Sequence, residues 1–189
     1  MLILSIYVIQ TNIKMNNKLE TIKKIYNSIL EEAIAQTWYG NCVAVSILFK
    51  EALTSKNIDS EIKVGYLLFN SRYTKTAIWH CWVEISYETS TKIYDIATDI
   101  MYKLVENFPY KRDEVTVSFD LPVGYSKTGF NRDHNKIALA NNMKMINFYK
   151  NNPSEFWKNN FSLKSKDEDD ISFNEFIIFK NTIFSKINE

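Results

Sequence analysis

The chain has few of the residues that make cross-links and tight turns, and no excess of either charge. Two cysteines in 189 residues are too few for a disulfide-stabilised scaffold. Four glycines and three prolines indicate few tight turns. The 23 basic residues nearly balance the 22 acidic ones, so we expect neither a nucleic-acid partner nor an anionic membrane partner.

What is present is enough apolar surface for one folded domain. Hydrophobic residues make up 46% of the chain and aromatic residues 14%. The apolar start, residues 1–9, is too short to span a bilayer and lacks the basic region and cleavage site of a signal peptide. We expect residues 1–15 to form an extra strand or a disordered leader, with translation starting at Met1 or Met15. Residues 16–189 should form one soluble, cytoplasmic domain.

The hydrophobic pattern changes twice along the chain. Apolar residues recur every three or four positions in two early segments, which predicts helices over residues 17–36 and 42–53. Segments rich in Val, Ile, Tyr and Trp then predict strands over residues 61–69, 77–86, 91–97 and 114–119. A loop over 121–133 precedes helices predicted over residues 136–150, 153–160 and 173–187, the last two opened by capping signals. This order predicts an α+β fold with a small antiparallel sheet.

Cys42 lies where a loop gives way to a predicted helix, in the sequence QTWYGNC. With Asn41 as N-cap, Cys42 occupies the first helical turn, where unpaired backbone N–H groups and the helix dipole favour a thiolate. Cys42 is therefore the candidate nucleophile. The side-chain amide of Gln36 and the backbone N–H of Cys42 are candidate oxyanion donors, with the Trp38 indole and the Tyr39 hydroxyl as alternatives.

His80 and Asp95 come from consecutive predicted strands. A hairpin with its turn centred between residues 87 and 88 places His80 opposite Asp95, and Trp82 opposite Ile93. The carboxylate could then hold one imidazole nitrogen and leave the other for a nucleophile, while Trp82 screens one side of the pair from water.

Other residues could fill these roles if the register differs. Asp99 is an alternative carboxylate through a longer loop or a bulge, and His134 is an alternative base. Cys81 should point to the sheet face opposite His80 and belong to the core, because strand side chains alternate. His80 and Cys81 therefore do not favour a metal site.

Three motifs in order, WYGNC, WHCWVEI and IYDIAT, resemble the transglutaminase-like branch of the papain-like cysteine enzymes. The resemblance covers about residues 30–100. It implies that Cys42 is the nucleophile, His80 the general base and acid, and Asp95 the orienting carboxylate. The spacing of Gln36, Gly40 and Cys42 is similar to the papain-type oxyanion signature.

That resemblance implies a nucleophile helix packed on an antiparallel sheet, with a catalytic core over about residues 30–120. The additional helices over about 136–188 match no family pattern. The residue after Cys42 also departs from the family, because Val43 stands where an aromatic residue is usual.

The implied activity is that of a cysteine-dependent amide hydrolase, of peptidase or deamidase type, or of an acyltransferase with an acyl-enzyme intermediate. The substrate would be a peptide or protein amide bound in a cleft lined by Trp38, Tyr39 and Trp82, without cofactor or metal. The alternative is a catalytically inactive module of the same fold that binds a peptide or a partner protein. An arylamine acyltransferase that uses coenzyme A is less favoured, since no phosphate-binding loop is evident.

Overall fold

A computed structural model describes residues 2–38, 42–72, 75–87, 90–127, 132–153, 155–156 and 173–189. Two helices open the chain, α1 at Leu2–Ala35 and α2 at Cys42–Ser55. Residues 2–15, expected to form a strand or a disordered leader, instead belong to α1. The sequence contains no glycine or proline before Gly40, so no helix-breaking residue separates this apolar start from the amphipathic segment that follows.

The sheet follows as four antiparallel strands. They are β1 at Glu61–Asn70, β2 at Lys75–Ser86, β3 at Thr91–Tyr94 and β4 at Val115–Ser118. Their order across the sheet is β3-β2-β1-β4, so the long β1–β2 hairpin forms the centre. A two-residue strand, β5 at Ser126–Lys127, pairs in parallel with β2. The expected mixture of helices with an antiparallel sheet is confirmed.

The described residues also include the helices α3 at Ile96–Leu104, α4 at Arg132–Asn151 and α5 at Phe173–Asn188, and a 3-10 turn at Arg112–Glu114. Two predictions from the sequence differ from the structure. The third strand ends at Tyr94 and not at Ala97, because Asp95 caps a helix that the strand-like pattern concealed. The predicted loop over 121–133 contains β5 and the start of α4. Most of the helix predicted over 153–160 lies outside the described residues, as does Asn41.

The core forms where α2 packs between the sheet and the other helices. Residues 42–49 of α2 are all buried, which is typical of a central helix. Helix α5 adds Phe179, Ile183 and Ile187, spaced four apart and each at most 4% exposed, to the same hydrophobic cluster. The C-terminal helix therefore packs on the core that carries Cys42.

In the part of the chain that the structure describes, no helix is both long enough and apolar enough to cross a membrane.

Candidate active site

Cys42 is the first residue of α2, as the capping pattern predicted. The first-turn N–H groups of a helix have no intrahelical acceptor, so they favour a negative charge at this position. The residue is only 6% exposed. Cys42 is therefore a buried residue at the start of its helix.

His80 and Asp95 are in direct contact. His80 Nε2 lies 2.8 Å from Asp95 Oδ1, and the two side chains are 6% and 11% exposed. Asp95 is at the same time the N-cap of α3, since its Oδ1 accepts the Thr98 N–H at 3.1 Å. Its other oxygen accepts the Thr98 hydroxyl at 2.5 Å. Both carboxylate oxygens are therefore held before any substrate binds.

The strand register differs from the predicted one. Ile93 pairs with Glu84 and not with Trp82, and the Tyr87 N–H donates to the Ser90 carbonyl at 2.7 Å. The turn is thus centred one residue later than expected. Each residue of β3 therefore pairs with a β2 residue two positions away from the predicted one. Because a shift of two preserves the sheet face, His80 and Asp95 remain diagonal neighbours.

The surroundings of the buried His80 favour its protonated form. Burial alone would lower its pKa. The charge and hydrogen bond of Asp95, with a further contribution from the Cys42 thiol, outweigh burial and raise the pKa of His80 to about 10. Burial would raise the pKa of Asp95, but the His80 charge and the hydrogen bonds from His80 and Thr98 lower it.

The surroundings of Cys42 favour the thiolate. A hydrogen bond from the Cys81 thiol lowers its pKa most, burial opposes this, and the hydrogen bond and charge of His80 lower the pKa further, to about 5. The pKa of Cys81 is raised, by its hydrogen bond to Cys42, by burial and by the charge of Asp95. We assign the negative charge to Cys42 because His80 and the helix N-terminus both act on that sulfur.

Cys81 is a site residue that sequence reasoning missed. It is fully buried, as expected of a core residue, yet it also lowers the pKa of Cys42. Alternation of strand side chains had suggested that His80 and Cys81 point to opposite faces of the sheet and that Cys81 belongs to the core. Thr98 was missed as well, although Asp95 three positions before it fits an N-cap pattern.

Three residues expected at the site have other contacts. The Gln36 amide donates to Glu32 Oε1 at 2.7 Å, so one of its hydrogens is bound within the end of α1. Trp38 is 2% exposed and stacks on Phe179 with ring centroids 3.9 Å apart. The Cys42 backbone N–H lies in the first turn of α2, and the oxyanion role of either donor stays a prediction.

Trp82 is likewise buried, at 1% exposure. Its ring packs against Phe119, with centroids 5.3 Å apart, and its Nε1 donates to Glu84 Oε1 at 3.1 Å. Trp38 and Trp82 therefore belong to the packed interior and do not line an open cleft, because large aromatic rings gain most from full burial. Tyr39 and Gly40 lie outside the described residues.

The alternative carboxylate, Asp99, has other partners. Asp99 bonds to the Tyr26 hydroxyl and pairs with Arg112, so Asp95 is the carboxylate that meets His80. The side chain of His134 lies outside the described residues. Within the described ranges, no group of three or more His, Cys, Asp or Glu residues is arranged to hold a metal ion.

A cavity of about 440 Å³ lies beside Asp95, on the carboxylate side of the His80–Asp95 pair. Asp95 and Thr98 form part of its wall, beside the cationic Lys23 and Arg112 and apolar residues of β1, β3 and β4. Ile93 borders it and is 53% exposed. Among the described residues, the lining includes neither Cys42 nor His80.

No protein-family model, curated protein or solved structure matches the chain. The interpretation of the site therefore depends on its own geometry. The fold and site define an α+β protein with a thiol, an imidazole and a carboxylate in series. Such a series can generate a nucleophile and transfer one proton.

Proposed function

We propose that this chain is a cysteine-dependent amide hydrolase or acyltransferase of the transglutaminase-like kind. The observation that carries the proposal is the 2.8 Å contact between His80 Nε2 and Asp95 Oδ1, in series with Cys42, whose pKa the hydrogen bond and charge of His80 lower. These residues come from a helix start, a central strand and a helix cap, which are separate elements. A series of this kind is the arrangement that thiol nucleophiles require.

The reaction would begin with attack of the Cys42 thiolate on an amide carbonyl carbon. The Cys42 backbone N–H, in the first turn of α2, would stabilise the developing oxyanion. His80 would give its proton to the leaving amine, which departs as the carbonyl re-forms and leaves a thioester on Cys42. Asp95 holds Nε2, so Nδ1 is the nitrogen available for this transfer.

The thioester would be resolved by water or by an amine. Neutral His80 would take a proton from the acceptor as it attacks, and the thiolate would leave. Water as acceptor gives a peptidase or deamidase, and an amine gives acyl transfer. The proposed substrate is a peptide or protein amide in either case.

The wider assignment is also a proposal. Packing of α2 on the antiparallel sheet is what a papain-like core would have, with the nucleophile at the helix start. Both cysteines are free, which suits a reducing compartment and supports a cytoplasmic location.

The test is capture of an acyl group from p-nitrophenyl acetate, followed by intact mass and peptide mapping. Wild type should release a burst of nitrophenol and carry one acetyl group on Cys42. His80→Gln should lose the burst. Faster release with added glycinamide would identify an acyltransferase, and release unaffected by the amine a hydrolase. Equal acetylation of wild type and Cys42→Ser would refute the proposal.

The second candidate is a non-catalytic binding module, and the cavity beside Asp95 favours it. That cavity is large enough for a small ligand or a side chain, whereas Cys42 is only 6% exposed. A module of this kind predicts that both thiols resist alkylation until the protein unfolds. Rapid acetylation of Cys42 in the folded protein would exclude it.

A further inference from the structure

The cavity beside Asp95 has an apolar floor on the sheet. Leu67 of β1 pairs with Val117 of β4, and directly paired residues of an antiparallel sheet point to the same face. Val115, two positions before Val117, points to that face as well. All three line the cavity of about 440 Å³, and Ile93 of β3, which is 53% exposed, adds a further apolar side chain. This floor is suited to an apolar group.

The opening of the same cavity carries two cationic side chains. Lys23 extends from α1 and Arg112 from the 3-10 turn, and their side chains are 66% and 57% exposed. Asn27 lies one turn after Lys23 on the same face of α1, lines the cavity as well and brings a side-chain amide. The solvent side of the cavity is therefore positively charged and rich in hydrogen-bond donors.

The present partners of these two cations leave both able to bind an anion. Lys23 pairs with Glu20, but both side chains are exposed, and an exposed ion pair contributes little to stability. Arg112 contacts Asp99 Oδ1 through Nη2, and a guanidinium has five N–H donors with which to bind a second anion. Its guanidinium carbon also lies 5.1 Å from the centroid of the Tyr102 ring. Lys23 can thus turn to a ligand, whereas Arg112 is already held in place.

Asp95 is the acidic residue among the described residues that line the cavity, and its charge is compensated. Its Oδ1 lies 2.8 Å from His80 Nε2 and accepts the Thr98 N–H at 3.1 Å. Its Oδ2 accepts the Thr98 hydroxyl at 2.5 Å. A carboxylate with these partners repels an incoming anion less than a free carboxylate would. Charge therefore favours an anion in this cavity, and the apolar floor favours an anion with an apolar body.

We propose that this cavity binds a small carboxylate with an alkyl or aryl body. The carboxylate group binds Lys23 and Arg112, and the body lies on the apolar floor. The volume agrees with a small-molecule site, since such sites measure roughly 300–1,000 Å³. The site does not rest on catalysis, because the described residues that line it include neither Cys42 nor His80. This ligand class applies to the binding-module candidate and to the enzyme alike.

The experiment is a titration of the full, isotope-labelled chain with octanoate, followed by amide NMR. A matched titration with octanamide, which has the same alkyl chain and no charge, measures the contribution of the carboxylate. Octanoate should shift the amide signals of Thr98, Thr116 and Val117, which line the cavity, in a saturable manner. It should bind roughly tenfold more tightly than octanamide, because the amide lacks the charge that Lys23 and Arg112 attract. Equal affinities, or no saturable shift at these residues, would overturn the proposal.

Variants assign the charge to named side chains. Lys23→Gln and Arg112→Gln should each weaken octanoate binding roughly threefold or more and leave octanamide binding unchanged. Lys103→Gln, at an exposed position of α3 outside the described lining, is the matched control. If Arg112→Gln weakens the binding of both ligands, the exchange perturbs the cavity wall, and Lys23→Gln at its exposed position decides. Octanoate affinity that neither exchange lowers would refute the site.

The last comparison separates this site from the proposed enzyme. Cys42→Ser should bind octanoate as tightly as wild type, and loss of binding in this variant would contradict an independent site. Octanoate binding by a protein that never acylates would establish the site and refute the enzyme. Acetylation of Cys42 without octanoate binding would leave the enzyme standing and refute the site. Tighter binding of a peptide with a C-terminal leucine carboxylate would assign the cavity to a peptide end and overturn the small-ligand class.

Discussion

Asp95 binds His80 and starts a helix with the same carboxylate. Its Oδ1 lies 2.8 Å from His80 Nε2 and also accepts the Thr98 N–H at 3.1 Å. The helix cap therefore fixes the carboxylate, and the carboxylate fixes the imidazole. The geometry of the candidate site thus depends on correct formation of α3.

Asp95→Asn and Asp95→Ala should separate these two roles. Asn still caps a helix but carries no charge, so in both variants the pKa of His80 should fall well below about 10, because Cys42 alone then opposes the effect of burial. Asp95→Ala should in addition lose about 1 kcal/mol relative to Asp95→Asn through loss of the cap. NMR titration of the His80 ring and denaturant unfolding measure the two effects. An unchanged His80 titration in Asp95→Asn would show that the carboxylate does not hold the proton.

The Cys42–His80 pair should contribute a constant amount to the free energy of unfolding over a middle range of pH, and less on both sides of that range. The pKa of Cys42 is lowered from 9.0 to about 5, so its contribution is complete above 9.0 and is lost as pH falls through about 5. The pKa of His80 is raised from 6.5 to about 10, so its contribution is complete below 6.5 and is lost as pH rises through about 10.

The difference in unfolding free energy between wild type and Cys42→Ser should consequently be largest between 6.5 and 9.0 and smaller on both sides. Urea unfolding across this pH range measures it. A difference that does not vary with pH would mean that no ion pair forms.

Helix α5 should depend on one aromatic contact for its attachment to the core. Phe179 is 0% exposed and stacks on Trp38, whereas its neighbour Ile178 is 62% exposed. Phe179→Ala should cost about 3–5 kcal/mol through lost burial and the cavity left behind. Ile178→Ala, one residue away on the same helix, should change stability by no more than about 0.5 kcal/mol. Equal losses in chemical denaturation would contradict this placement of α5.

Gly65 should be intolerant of a side chain. A Cβ at this position would meet the Ser118 carbonyl oxygen on β4 and would lie 2.8 Å from the Trp82 ring. Gly65→Ala should therefore cost at least about 1–3 kcal/mol, because the β1–β4 pairing would have to shift. Gly124 has φ +88°, and a Cβ added there would meet no atom within 4 Å. Gly124→Ala should therefore cost only about 1 kcal/mol of backbone strain. Thermal unfolding measures the stability of both variants. A larger loss of stability in Gly124→Ala than in Gly65→Ala would contradict steric crowding at Gly65.

The sequence was most informative where local patterns and tertiary packing agree. Cys42 opens a helix and His80 lies on a central strand, as periodicity and composition predicted. The hairpin partner of Ile93 was wrong by two residues because hydrophobic alternation fixes the sheet face and leaves the turn position open. The contact between His80 and Asp95 was predicted correctly because that error preserved the face.

Two other features were not predicted from the sequence. The strand-like run around Asp95 concealed a helix cap, although Ile96, Ile100 and Leu104 recur every fourth position, as in a helix. Trp38 was expected in a cleft because it lies near the nucleophile in the sequence. In the structure it stacks on Phe179 of the C-terminal helix α5. Such long-range packing depends on how elements dock, which periodicity within one segment does not report.

The most direct test of the central claim is the pH dependence of Cys42 alkylation by iodoacetamide in the folded protein. If Cys42 and His80 form a thiolate–imidazolium pair, the apparent pKa of Cys42 should lie well below 9.0, near about 5. In His80→Gln the apparent pKa should rise and the rate at neutral pH should fall by roughly tenfold or more, because the positive charge beside the sulfur is lost. Peptide mapping with Cys81→Ser as control assigns the label. An ordinary thiol titration at Cys42, unaffected by the residue at position 80, would contradict the thiolate–imidazolium pair and with it the proposed enzyme.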